Sequence, residues 1–179
     1  MKKTNIIFIG MSGSGKTTIG KKIAKILSYN FFDLDKEVEL ALNKSITHTV
    51  EEKGWDFFRH KEAEICKLIS QKENAVIAAG GGTVLNQKNV TNMKKNGFII
   101  LLLTTPEILI KRRSNHPKKS HRPPLHYKNL AKEIKSIWKE REKKYFAAAD
   151  LIYQVDDSEP VKVSVENVMK HLGEKRILC

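Results

Sequence analysis

Near its N-terminus the chain reads Gly10-Met11-Ser12-Gly13-Ser14-Gly15-Lys16-Thr17, which places glycines, a lysine and a hydroxyl at the spacing GxxxxGK[ST]. The chemistry of that spacing is phosphate binding. Glycines let successive backbone N–H groups turn inward around phosphate oxygens, and a helix starting there presents the positive end of its dipole to the anion. Gly13, Ser14, Gly15 and Thr18 then surround a nucleoside triphosphate, Lys16 neutralises its β- and γ-phosphate charge, and Thr17 is placed as a direct Mg²⁺ ligand. ATP and Mg²⁺ are the expected co-substrate and cofactor. The loop names the ligand held and leaves open what receives the phosphate.

Further residues bear on the acceptor. Asp33 and Asp35 straddle one residue after a short extended piece, so both carboxylates can face the same side of the chain, where either could serve magnesium or a hydroxyl. A turn or a helix cap would use the same residue types. Arg59 and Arg141 could hold one carboxylate between two guanidinium forks, a bidentate geometry lysine reproduces poorly. On the residues alone, a surface position is the leading reading for Arg141. Gly80-Gly81-Gly82 removes every side chain where an apolar run ends, so a ligand can approach the amides.

These residues need elements to position them. Residues 5–9 form a short β-branched apolar run ended by Gly10, the pattern of a parallel strand buried on both faces, and Ile19, Ile23, Ile26 and Leu27 recur at helical spacing over 16–27. Extended pieces at 31–34, 75–79, 98–103 and 151–155 alternate with helices near 36–42, 55–71, 106–113, 130–148 and 161–172. The expected class is α/β, a three-layer αβα sandwich with a central parallel sheet of the P-loop NTPase type. Residues 114–127 hold three prolines, three histidines, two lysines and Arg122. That composition predicts a mobile lid over the nucleotide, within one domain spanning 1–179.

The chain carries 33 Lys and Arg against 20 Asp and Glu, a formal charge of +13. This excess favours anionic partners such as nucleotides, phosphates, carboxylates or nucleic acid, although many of the lysines solvate helix faces. Cys66 and Cys179 have no metal-ligand or disulfide spacing, and no apolar run is long enough for a membrane span. A cytoplasmic, monomeric protein is expected, with no membrane and no nucleic acid among its partners.

Beyond the phosphate loop the chain resembles the shikimate kinase family over nearly its whole length. The resemblance is carried by Phe32-Asp33-Leu34-Asp35, Gly54 with Phe58-Arg59 and Glu62, Ala79-Gly80-Gly81-Gly82, Arg122-Pro123 and Arg141-x-x-x-Tyr145. It implies the nucleoside monophosphate kinase-like fold and transfer of the γ-phosphate of ATP to the 3-hydroxyl of shikimate. By the same comparison Asp33 acts on Mg²⁺ through water, and Asp35 hydrogen-bonds the acceptor hydroxyl as its base. Arg59, oriented by Glu62, grips the carboxylate with Arg141, and Gly80, Gly81 and Gly82 meet the ring hydroxyls. Arg122 neutralises the moving phosphoryl group, Arg113 stacks on adenine, and Pro160 lies near its other face. The substrate-binding segment is about 34–62. Three features depart from the family pattern: Arg-Pro-Pro-Leu in the lid, a longer and more basic lid, and Trp55-Asp56-Phe57 after Gly54. A gluconate or nucleoside monophosphate kinase would share the phosphate loop but not the set of Arg59, Arg141 and three glycines. An ATP-switched nucleic-acid binder would need aromatic residues interleaved with the basic ones, which are few here.

Overall fold

The computed structural model describes residues 3–115, 129–175 and 177. Five strands, β1 (Asn5–Ile9), β2 (Asn30–Asp33), β3 (Ala75–Ala78), β4 (Gly97–Leu103) and β5 (Leu151–Gln154), form one sheet in the order β2-β3-β1-β4-β5. Every neighbouring pair is parallel. Its three central strands, β1, β3 and β4, are buried on both faces, as their continuous apolar runs require, whereas the edge strands β2 and β5 are partly exposed. Ile7 and Ile9 of β1 enter one core with Ile77, Ile99 and Leu101, whereas Ile6 and Phe8 enter the other with Val76, Ile100 and Leu102.

Helices complete the outer layers. On one face α1 (Lys16–Leu27) and α7 (Val161–Glu174) bury Ile19, Ile23, Val165, Val168 and Leu172. On the other lie α2 (Leu34–Leu42), α3 (Ile46–Ser70), α4 (Gln87–Asn96), α5 (Pro106–Asn115) and α6 (Leu130–Ala148), contributing Val38, Phe58, Met93, Leu109 and Tyr145. The arrangement is the three-layer αβα sandwich. Of the expected lid, residues 116–127 with Arg122 lie outside the described residues.

Three local features differ from the sequence reading. Helix α3 starts at Ile46 rather than near residue 55, with the Ser45 hydroxyl accepting from His48 N–H at 3.2 Å as its cap. Gly54, at φ 79° and ψ 170°, breaks it into two helical pieces, and the second piece is the one the apolar spacing reveals. Helix α4 was not anticipated, because its sequence QKNVTNMKKN offers only Val90 and Met93 to the core. Finally, β2 ends at Asp33 and α2 begins at Leu34, so Asp35 stands in the first helical turn.

Gly54 has a backbone conformation that is essentially reserved for glycine, yet a Cβ there would meet nothing within 4 Å. Gly173 in α7 has equal room and no positive φ. Gly54→Ala should therefore lower the unfolding free energy by roughly 1–3 kcal/mol. Gly173→Ala should raise it by up to about 1 kcal/mol in denaturant titrations. Equal effects of the two methyl groups would contradict the conformational argument.

Candidate active site

The phosphate loop leaves β1 at Gly10, where φ is 138° and a Cβ would stand 2.7 Å from the Leu102 carbonyl oxygen of the neighbouring strand. Only glycine fits this close approach. Gly15, also left-handed at φ 102°, is the N-cap of α1, so the first helical amides open onto the loop. The Lys16 ammonium is buried and donates to the carbonyls of Gly10 and Met11 at 2.9 and 2.8 Å, which holds a cation inside the loop.

At the end of the loop, Thr17 Oγ1 donates to Asp33 Oδ2 at 2.7 Å. Asp33 occupies the N-cap position of α2, but its side chain makes no capping hydrogen bond, so the carboxylate is committed to Thr17 instead. A hydroxyl and a carboxylate side by side are hard oxygen donors of the kind Mg²⁺ prefers, and they fit that ion. Half-buried Asp35 lies one residue into the helix. Gly13, Ser14, Gly15, Lys16, Thr17, Thr18, Asp33, Asp35, Gly81, Arg113 and Pro160 all line one cavity of about 700 Å³.

The sheet order places β3 beside β1, so the glycine segment after β3 emerges next to the phosphate loop, at the C-terminal edge where open α/β sheets bind ligands. Both arginines meet this segment. Arg141 Nη1 donates to the Gly81 carbonyl at 3.0 Å, and the Tyr145 hydroxyl donates to the same oxygen. The Arg59 guanidinium lies so close to Gly82 that any Cβ there would collide with it. Arg59 Nη1 donates to Glu62 Oε2 at 2.6 Å. The faces of Trp55 and Phe58 stand 5.3 Å from its central carbon, close enough for cation–π attraction. Trp138 stacks on Tyr145 at 6.1 Å and supports the other side. The Trp55 departure thus supplies an aromatic wall for Arg59.

On the nucleotide side, Arg113 Nη1 donates to Glu133 Oε1 of α6 at 3.4 Å, and Pro160 caps the start of α7. Arg122 lies outside the described residues. Cys66 is buried, and removal from water pushes its thiol up to about 12, with the Ser70 hydroxyl acting slightly in the opposite sense. It is a protonated core residue at neutral pH with no nucleophilic role.

The profile of the shikimate kinase family matches residues 12–174. This chain belongs to the shikimate kinase family. It is 36% identical to a shikimate kinase of Nitrosococcus oceani over 97% of this chain and 90% of that protein. It is 38% identical to one of Caldanaerobacter subterraneus over 96% and 98% respectively. The solved shikimate kinase of Acinetobacter baumannii, in complex with shikimate, superposes with a TM-score of 0.91 at 24% identity, covering 98% of this chain and 96% of that one, which establishes a shared fold. Shikimate kinases are ATP-dependent phosphotransferases, and the fold and the phosphate loop are those of the family.

One residue facing the kinase's nucleotide cavity escaped the sequence reading. Arg112 Nη1 donates to the Gly13 carbonyl at 2.9 Å, while its Nε donates to Asp157 Oδ1 at 2.9 Å. The signal was available in the helix period: Arg112 follows Leu109 by three, sharing its face, and the Leu109 side chain stands 3.6 Å from where a Gly13 Cβ would be. Arg112→Ala should weaken ATP binding by roughly threefold to tenfold, since its charge-assisted hydrogen bond to the loop is lost. Calorimetric titration checks this; unchanged ATP affinity would show that the Gly13 contact does not shape the loop.

Proposed function

We propose that this chain transfers the γ-phosphate of ATP to the 3-hydroxyl of shikimate, giving shikimate 3-phosphate and ADP in aromatic amino acid (chorismate) biosynthesis. One observation carries the reading. Gly81 lines the phosphate cavity and also accepts the Arg141 hydrogen bond, while its neighbour Gly82 carries the Arg59 guanidinium. Two cationic forks therefore converge on one backbone segment that borders the triphosphate loop, an arrangement suited to an acceptor bearing both a carboxylate and hydroxyls.

In the mechanism, Arg59 and Arg141 take the carboxylate and the amides of Gly80, Gly81 and Gly82 meet the ring hydroxyls. Asp35 aligns the reacting hydroxyl and accepts its proton as the oxygen bonds to the γ-phosphorus and the bond to the β–γ bridging oxygen breaks. Lys16 and Arg122 offset charge on the moving phosphoryl group. Thr17 directly, and Asp33 through water, would hold Mg²⁺, which when bound neutralises charge on the β- and γ-phosphate oxygens. Arg113 and Pro160 flank the adenine. Positioning supplies most of the rate, because the loose transition state leaves little covalent chemistry to the protein.

The functional unit is one kinase domain over 1–179, with its acceptor segment near 34–62 and its lid near 114–127, working as a cytoplasmic monomer without nucleic-acid or membrane partners. Its cleft is sized for small molecules, and among the described residues no helix is long and apolar enough to cross a membrane.

ADP release with Mg·ATP should depend on shikimate and stay near background with gluconate or nucleoside monophosphates. Equal or faster turnover with either alternative acceptor would overturn the assignment. Asp35→Asn should lower kcat by about 10²–10⁴-fold, the range for a lost general base. ATP affinity should stay within about threefold in this variant; parallel loss of both would remove Asp35 from the acceptor side.

A further inference from the structure

Arg59 is oriented by Glu62, and the geometry of Glu62 is set in turn by a residue that no phosphate or acceptor motif marks. Glu62 is 1% exposed and Thr83 is fully buried, so water cannot substitute for either partner. One carboxylate oxygen of Glu62 accepts from Arg59 at 2.6 Å, and the other accepts from Thr83 Oγ1 at 2.9 Å. A glutamate carboxylate held at one oxygen only can rotate and carry its arginine with it; held at both, it has a single orientation.

Thr83 is itself pinned. It opens the 3₁₀ turn Thr83–Leu85 directly after the glycine segment, and its N–H donates to the Gly80 carbonyl at 3.1 Å. Its carbonyl accepts from the buried Asn89 side chain of α4 at 3.2 Å. An unbroken chain of hydrogen bonds therefore runs from α4 through Thr83 and Glu62 to the guanidinium lying on Gly82. The same turn fixes both the glycine segment and the arginine packed over it.

We propose that Thr83 is a positioning residue for the acceptor carboxylate: its hydroxyl locks Glu62 so that the Arg59 fork is already aimed when the organic acid arrives. The proposal rests on the acceptor reading above and adds a residue to it.

Thr83→Val keeps the volume and removes the donor, leaving Glu62 Oε1 buried without a partner. The KM for shikimate should rise about tenfold, as expected for an unsatisfied buried acceptor. The KM for ATP should stay within about twofold, and Thr83→Ser, which keeps the hydroxyl, should restore the shikimate KM to within about threefold. A joint rise in both KM values, a serine variant as impaired as valine, or a valine variant with wild-type KM values would each overturn the proposal. Should Thr83→Val fail to fold, Thr83→Ala serves in the same comparison. Wild-type turnover of shikimate tests the acceptor reading separately. A crystal structure of the valine or alanine variant tests the lock whatever the acceptor: Arg59 displaced from Gly82 is expected, and Arg59 in its original place would refute the lock.

Discussion

The site depends on the parallel pairing of β1 with β3. Ile6, Ile7 and Phe8 lie opposite Val76, Ile77 and Ala78, and the Ala79 N–H donates to the Phe8 carbonyl at 2.9 Å. That rung is the last before both strands open into glycine. Beyond it one strand turns into the phosphate loop and the other into Gly80-Gly81-Gly82, so the register of two buried strands fixes the spacing between the phosphate loop and the glycine segment. A slip of one residue would reverse which side chains face each core and would separate the two loops.

Around that edge the protein sorts its excess positive charge by burial. Lys16 is 9% exposed and Arg141 7%, each held by backbone carbonyls of the site. Taking such cations out of water is costly unless partners and hydrogen bonds offset it. Arg59 has Glu62, two aromatic faces and the bare surface of Gly82; Arg112 has Asp157 and the Gly13 carbonyl. Exposed lysines such as Lys21, Lys22 and Lys25 on α1 raise the local concentration of anions without fixing any of them in place. The rigid cations are the ones held against the phosphate loop and the glycine segment.

The legibility of the sequence followed the strength of local signals. Helix α1 was read to its terminal residues because a phosphate loop starts it and four apolar residues keep its period. Helix α4 stayed hidden, since two buried apolar residues in ten do not establish a period. Gly54 was recognised as part of a motif, yet its role as a break between two helical pieces depends on a φ that no spacing reveals. The family resemblance points to Arg113 and is silent on its neighbour Arg112, although both line the cavity and the loop contact belongs to Arg112. Thr83 lies 21 residues from Glu62, and such a distant hydrogen bond leaves no trace in local pattern.

The most direct test of the central claim is a crystal structure of the protein with a non-hydrolysable ATP analogue, Mg²⁺ and shikimate bound together. The carboxylate is expected between Arg59 and Arg141, and one hydroxyl between Asp35 and the terminal phosphate held by the Gly10–Thr17 loop. A carboxylate bound away from both arginines, or an acceptor in a pocket that does not border that loop, would contradict it.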